Sequence, residues 1–168
     1  MGNPHMSGPG AERQWVLLSY RLPREPSTPR ITVWRKLKRM GVAQISDGLV
    51  ALPADARTRE QLDWIAEEVT DFGGTATVWI AHPAAAGDEQ QLIDALTQAR
   101  AAEYQQVRSE AEAAGETDDL GRRRALTRLR AELRRIQRRD YFPPPDRHAA
   151  EQAVNALHPA NTRKESTP

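Results

Sequence analysis

Hydrophobic and polar positions alternate in blocks that change period along the chain. Trp15 to Leu22 is a short apolar run closed by Pro23, the pattern of a buried strand. Thr28 stands as an N-cap with Pro29 in the first helical turn, followed by a stripe of Val33, Trp34, Leu37 and Met40 and a terminating Gly41. Val42–Ile45, Ser46-Asp47-Gly48 and Leu49–Leu52 predict a hairpin, with Asp-Gly suited to a tight turn that needs positive φ. Thr58 and Gln61 read as a capping pair opening a second helix, with Leu62, Ile65, Val69 and Phe72 inward and Gly73-Gly74 as its stop. Thr75 to Ile80 returns to period two, with Ala76, Val78 and Ile80 on the buried side.

This order, β-α-β-β-α-β over residues 13–83, predicts an α+β fold: a ferredoxin-like antiparallel sheet with two helices on one face. Right-handed crossovers narrow the topology further. Pro83 to Gly87 reads as a hinge, after which strand signals stop. A helix from Asp88 to Ala114 places Leu92, Leu96, Ala99, Val107 and Ala111 near one face, and Gly115 breaks it. Thr117 or Asp118 caps another helix with the stripe Leu126, Leu129, Leu133 and Ile136. Three prolines, Pro143 to Pro145, lead into a short helix, Asp146 to Leu157, with Ala150, Ala153, Val154 and Leu157 inward. Residues 84–158 are thus expected to form a helical hairpin and a short helix packed on the first domain. Residues 159–168 and 1–12 are expected to be disordered, and Met1 to Met6 reads as a tag scar.

Composition narrows the function classes. The chain has 168 residues and no cysteine, which removes thiolate catalysis, disulfides and Cys-containing zinc sites. No apolar run is long enough to cross a membrane, and no leader is recognisable, so a cytoplasmic protein is expected. His5, His82, His148 and His158 lack ligand spacing, so no metal is expected. No phosphate-cradling loop with its lysine occurs, and Ser19, Ser27 and Ser46 have no base nearby in sequence. Glu67-Glu68 and Asp118-Asp119 are explained by a solvated face and a helix N-terminus. Nothing in the pattern calls for an enzyme or a cofactor. Trp64, on the far side of its helix from Leu62 and Val69, is expected to be exposed.

A formal net charge of +1 conceals strong segregation. Arg21 to Arg39 holds seven basic residues against Glu25, a net of +6, and Asp47 to Asp71 a net of −5. Asp88 to Asp119 carries −7, while Arg122 to Arg139 sets nine arginines against Glu132 for +8. Such blocks pair with one another or create basic surfaces. On the first helix, Arg30, Arg35, Lys36, Lys38 and Arg39 flank a stripe that must face the sheet, so several cations project outward and can neutralise phosphates. Arg123, Arg130 and Arg134 are the corresponding candidates in the second block. The competing readings are a solvated face and pairing with the acidic helices.

The strand ending in Leu22-Pro23, the helix Arg30-Ile-Thr-Val-Trp-Arg-Lys-Leu-Lys-Arg-Met-Gly41, the hairpin Asp47-Gly-Leu-Val-Ala-Leu-Pro53 and Asp140-Tyr-Phe-Pro143 carry a resemblance. In order and spacing, across Trp15 to Leu157, they resemble the N-terminal region of the chromate-resistance regulator family ChrB. The resemblance implies a cytosolic bacterial DNA-binding repressor of a chromate-efflux operon. The leading reading is therefore a regulator that binds double-stranded DNA, expected to act as a homodimer. Its basic helix, Arg30, Arg35, Lys36, Lys38 and Arg39, would contact DNA. Members usually carry a further C-terminal half linked to chromate response, which this sequence does not extend into. Chromate or another tetrahedral oxyanion is the implied effector. The opening also looks like the ferredoxin-like nucleases of CRISPR adaptation and a related domain of phenylacetate-pathway repressors. In those nucleases an acidic residue ending the first strand holds a metal; here Ser19-Tyr20-Arg21 supplies an arginine, which lowers the nuclease reading. The alternative to a DNA-binding regulator is an interaction or dimerisation module.

Overall fold

The computed structural model describes residues 13–162, and the expectations for Met1 to Met6, the rest of 1–12, and 163–168 lie outside the described residues. The chain divides into two compact units at Gln90–Gln91.

The first unit is built from β1 (Trp15–Arg21), α1 (Thr28–Met40), β2 (Ala43–Ser46), β3 (Leu49–Pro53), α2 (Ala56–Asp71) and β4 (Thr75–Ala81). The strands form one antiparallel sheet in the order β2-β3-β1-β4. Each helix therefore joins two strands separated by a third, the split β-α-β arrangement expected from the element order. The register sets Val16 between Leu52 and Ile80, and Leu18 between Val50 and Val78. Val16, Leu18, Val50 and Leu52 are fully buried, as are Val33 and Leu37 of α1 and Leu62 and Val69 of α2. Those apolar stripes close over the sheet, α2 above β1 and β4 and α1 beside α2. Burial of some ten aliphatic side chains, at ~1.5–3 kcal/mol each, is the main force holding this unit together. Trp15 is also fully buried, and its Nε1–H donates to Glu89 Oε1 at 3.0 Å.

Several local details differ from the sequence expectation. Thr28 is the first helical residue of α1 and Ser27 occupies the cap position, without a side-chain capping bond. In α2 the capping box is Asp55 with Thr58, three residues before the pair expected at Thr58 and Gln61. Asp55 Oδ1 accepts from the Thr58 N–H at 2.7 Å, while the buried Thr58 hydroxyl donates to Pro53 O at 2.7 Å. Phe72 leaves the core because α2 ends at Asp71 and Phe72 is its C-cap. The hairpin turn uses positive φ at Gly48 but not at Asp47. Gln44 pairs with Val50 and Ser46 with Leu49, so exposed Ile45 is the extra residue of a bulge that absorbs the turn. Ile80, expected inward, is 44% exposed because β4 is an edge strand and α2 covers only part of it.

The second unit contains the remainder of α3 (Ala86–Gly115), then α4 (Asp119–Gln137), α5 (Asp146–Ala156) and α6 (Pro159–Thr162). Helix α3 starts at Ala86, inside the expected hinge. The α4 stripe Leu126, Leu129, Leu133 and Ile136 packs with Tyr104, Val107 and Ala111 of α3 and Ala150, Val154 and Leu157 near the end of the chain. Ion pairs Arg128–Glu110 and Arg139–Glu103 show that α3 and α4 run antiparallel, as a hairpin requires. Ala99, expected inward, is exposed; Arg100 and Tyr104 are buried in its stead, because the buried row runs Leu96, Arg100, Tyr104, Val107, Ala111. Residues 159–162, expected to be disordered, form α6. No helix among the described residues is long and apolar enough to cross a membrane.

Candidate nucleic-acid interface

Helix α1 is set by Pro29 in its first turn and by Gly41 in the left-handed region (φ 74°), whose N–H returns to the carbonyls of Leu37 and Lys38. It has no acid in its first turn, and Lys38 and Arg39 in the last turn suit the negative end of the helix dipole. Val33 and Leu37 fix which side faces the sheet. Helical spacing then sorts the five cations. Arg35, Lys38 and Arg39 stand on the outward side, all exposed. Arg39 Nε donates to the Arg35 carbonyl at 3.4 Å, and the Lys38 ammonium lies 6.0 Å from the centre of the Trp34 ring, a cation–π contact that leaves its charge on the surface. Among the described residues none of these three has a carboxylate within ion-pair distance.

Lys36 is different. Its Nζ donates to both Glu68 carboxylate oxygens, at 2.7 and 2.6 Å, so it is committed to α2. Arg30, in the first turn of the helix, is exposed and sits near Tyr20 at the end of β1. Burial raises the Tyr20 pKa, and the Arg30 charge partly opposes that. The structure thus groups Arg35, Lys38 and Arg39 and sets Lys36 and Arg30 apart. Arg21, at the nuclease-like position, is exposed at the end of β1.

In the second unit, α4 divides its arginines in the same way. Arg122 bonds Asp119 and the carbonyls of Gly115 and Thr117; Arg128 reaches Glu110; Arg135 reaches Glu132. Arg128 and the Gln106 amide together hold the Glu110 carboxyl below its usual pKa. Arg123, Arg130 and Arg134 are exposed without an ion pair among the described residues. Their spacing of seven and four residues puts them on one stripe beside the apolar face.

A buried polar cluster in this unit escapes pattern reading. Tyr104 is fully buried and its hydroxyl donates to Asp140 Oδ2 at 2.7 Å; the Asp140 side chain has no exposure, and Arg147 Nη1 lies 3.7 Å from the same oxygen. Arg100, 6% exposed, donates to Glu103 Oε1 and to the Arg139 carbonyl, and Arg139 Nη1 shares Glu103 Oε1. Arg100 Nε, Glu103 Oε2 and Asp140 Oδ1 are buried without a hydrogen-bond partner. Burial lowers the Arg100 pKa. Burial first, and the bond to Asp140 second, push the Tyr104 phenol well above the ordinary tyrosine range. A raised folded-state pKa means that the stabilisation is complete below pH ~10 and is lost as pH climbs through the higher folded value. We therefore expect the urea midpoint to fall less steeply above that pH in a Tyr104→Phe chain than in the unchanged chain. Equal alkaline slopes in the two chains would remove Tyr104 as the cause. The sequence signal was faint: Arg100 and Tyr104 lie four residues apart on the apolar row of α3. Among the described residues no group of three or more His, Asp or Glu is placed to hold a metal ion.

Comparison with known sequences decides the family. A sequence model described as Protein ChrB, N-terminal, matches residues 30–116, just over half of the chain. The chain belongs to the ChrB N-terminal family. The match begins at Arg30 and takes in the outward cations of α1, α2, the hairpin, β4 and all of α3. A relative named Protein ChrB, from Cupriavidus metallidurans, is 29% identical over 136 residues. That alignment covers 79% of this chain and 41% of the relative, so the chain spans about two fifths of that ChrB. No solved structure matches.

Proposed function

We propose that this ChrB-family chain is a DNA-binding regulatory domain of the chromate-resistance type, without catalytic activity of its own, and that α1 contacts the phosphate backbone. The observation that carries the reading is the sorting of cations on α1. Arg35, Lys38 and Arg39 share one exposed side and have no intramolecular carboxylate partner among the described residues, whereas Lys36 has one. Uncompensated guanidinium and ammonium groups at successive turns of a helix match a polyanion, and each contact releases condensed counterions. The exposed stripe Arg123, Arg130 and Arg134 is a second basic element of the same character. Arg30 lies at the rim of the α1 surface, and Lys36 supports the helix through Glu68. Double-stranded DNA is the partner, and an oxyanion such as chromate is the effector that the family relationship suggests for the whole regulator.

The test is a titration of the chain against duplex DNA from the region upstream of its own gene, at two salt concentrations. Binding that weakens steeply as salt rises is the expected result. Absence of binding at low salt would overturn the reading.

A further inference from the structure

Among the described residues strand β4 ends the sheet, and it offers a bare edge. It is seven residues long, Thr-Ala-Thr-Val-Trp-Ile-Ala, without proline or charge, and it pairs with β1 through seven successive partners without a bulge. The opposite edge, β2, is four residues long and bulged. Proteins usually blunt an exposed edge with charge, proline or a bulge, because free N–H and C=O groups recruit another strand. Here β4 instead exposes Trp79 (53%) and Ile80 (44%).

We infer that this edge pairs antiparallel with β4 of a second copy of the chain, about a two-fold axis near Val78. The surface around it leaves room for such a pairing. An open groove of about 400 Å³ runs beside the edge, lined by Ala66, Glu67, Thr70 and Asp71 of α2 and by Ala76. Ala76 therefore lies on the α2 side of the sheet, and alternation places Ile80 there too. Pairing centred at Val78 sets Ile80 of one copy opposite Ala76 of the other, where its side chain enters that groove. On the far face it sets Trp79 against Thr77, an aromatic–β-branched pair of the kind that stabilises sheets.

The helices meet as well. Strands lie ~4.8 Å apart, and α2 sits over the β1–β4 pair, so edge pairing brings the two α2 axes to roughly 10 Å. That is the separation at which helices pack. Small Ala66 and Thr70 face the approaching helix. Charge also fits an antiparallel copy. Within α2, Arg59 reaches Asp63 at 3.9 Å with both side chains well exposed, a loose pair that leaves it able to meet a second copy. Arg57 and Arg59 occupy the first turn, and Glu67 and Asp71 stand near the C-terminal end, the reverse of what the helix's own dipole favours. Ala76 is level with Ala66 to Asp71, so Val78, ~6.6 Å further along the strand, is level with a point roughly four residues earlier on α2. Arg59 then lies across the axis from Glu67 and Asp71 of the second copy.

Sedimentation of the full chain over micromolar concentrations tests this, with a dimer expected. Ile80→Lys, at an exposed site, should abolish dimerisation at the same concentrations and leave the melting temperature nearly unchanged. Arg59→Glu should weaken the dimer about tenfold, and adding Glu67→Arg with Asp71→Arg should restore it. Because the chain has no cysteine, a single Val78→Cys chain should oxidise to a covalent dimer, while Gln44→Cys on β2 should not. A monomer throughout the range overturns the proposal. So does a dimer that ignores Ile80→Lys and cross-links through Gln44→Cys as readily as through Val78→Cys.

Discussion

An Asp140→Ala chain is expected to lose about 2–4 kcal/mol of stability in the second unit. The Asp140 carboxylate has no contact with solvent and accepts from the buried Tyr104 hydroxyl, with the Arg147 guanidinium beside it. Its removal strands a buried phenol and leaves Arg147 with Glu151 alone. Buried groups that lose a partner cost their full desolvation, which is why the expected loss exceeds that of a surface pair. Arg147 is about one third exposed and water recovers part of its charge, which keeps the value below the upper end seen for fully buried pairs. Urea unfolding followed by circular dichroism measures the effect. Tyr104→Phe should cost about 1.5–3 kcal/mol, since it takes the hydrogen bond from a buried carboxylate and leaves the Arg147 charge 3.7 Å away as compensation. A loss under ~0.5 kcal/mol for Asp140→Ala would show that the cluster is not held together by this carboxylate.

The combined variant Arg35→Ala, Lys38→Ala, Arg39→Ala should weaken duplex binding by about 100-fold at physiological salt. It should also make the plot of log K against log salt shallower by about 2.7, at roughly 0.9 for each phosphate that is no longer neutralised. Its melting temperature should stay close to that of the unchanged chain, because all three side chains are exposed and unpaired with carboxylates among the described residues. Lys36→Ala should behave in the opposite way. It breaks the Glu68 pair, at a cost held to about 1 kcal/mol by the partial exposure of both side chains, and it should move DNA affinity little. If Lys36→Ala reduced affinity as much as the triple variant, the division of α1 into a binding side and a structural side would be wrong.

That division was only half legible in the linear pattern. Pro29, Gly41 and the Val33–Leu37 spacing place a helix with cations around an apolar stripe, and the structure has that helix. Which cation meets an acid depended on α2 arriving beside α1 so that Glu68 reached Lys36 across 32 residues of chain. The stripe Leu126, Leu129, Leu133 and Ile136 was equally plain, since period alone defines it. Arg100 and Tyr104 share the buried row of α3, yet a search for apolar spacing passes over an arginine. The phenol is tolerated there because Asp140, 36 residues later, accepts a hydrogen bond from its hydroxyl, and the arginine because Glu103 and the Arg139 carbonyl accept from it. Ile80 alternates as a core residue would, and its exposure follows from β4 having, among the described residues, a neighbour on one side only.

Chain-local physics was sufficient for the positions of strands and helices, for most of their ends and for the segregation of charge, because backbone sterics, capping and side-chain period act over a few residues. The freedom of the β4 edge, the pairing of Lys36 and the burial of Arg100 beside Glu103 and the Arg139 carbonyl were decided by folding. Each depends on which distant groups are brought within hydrogen-bond distance and shut away from water, and those distances exist only once the sheet and the helices have packed.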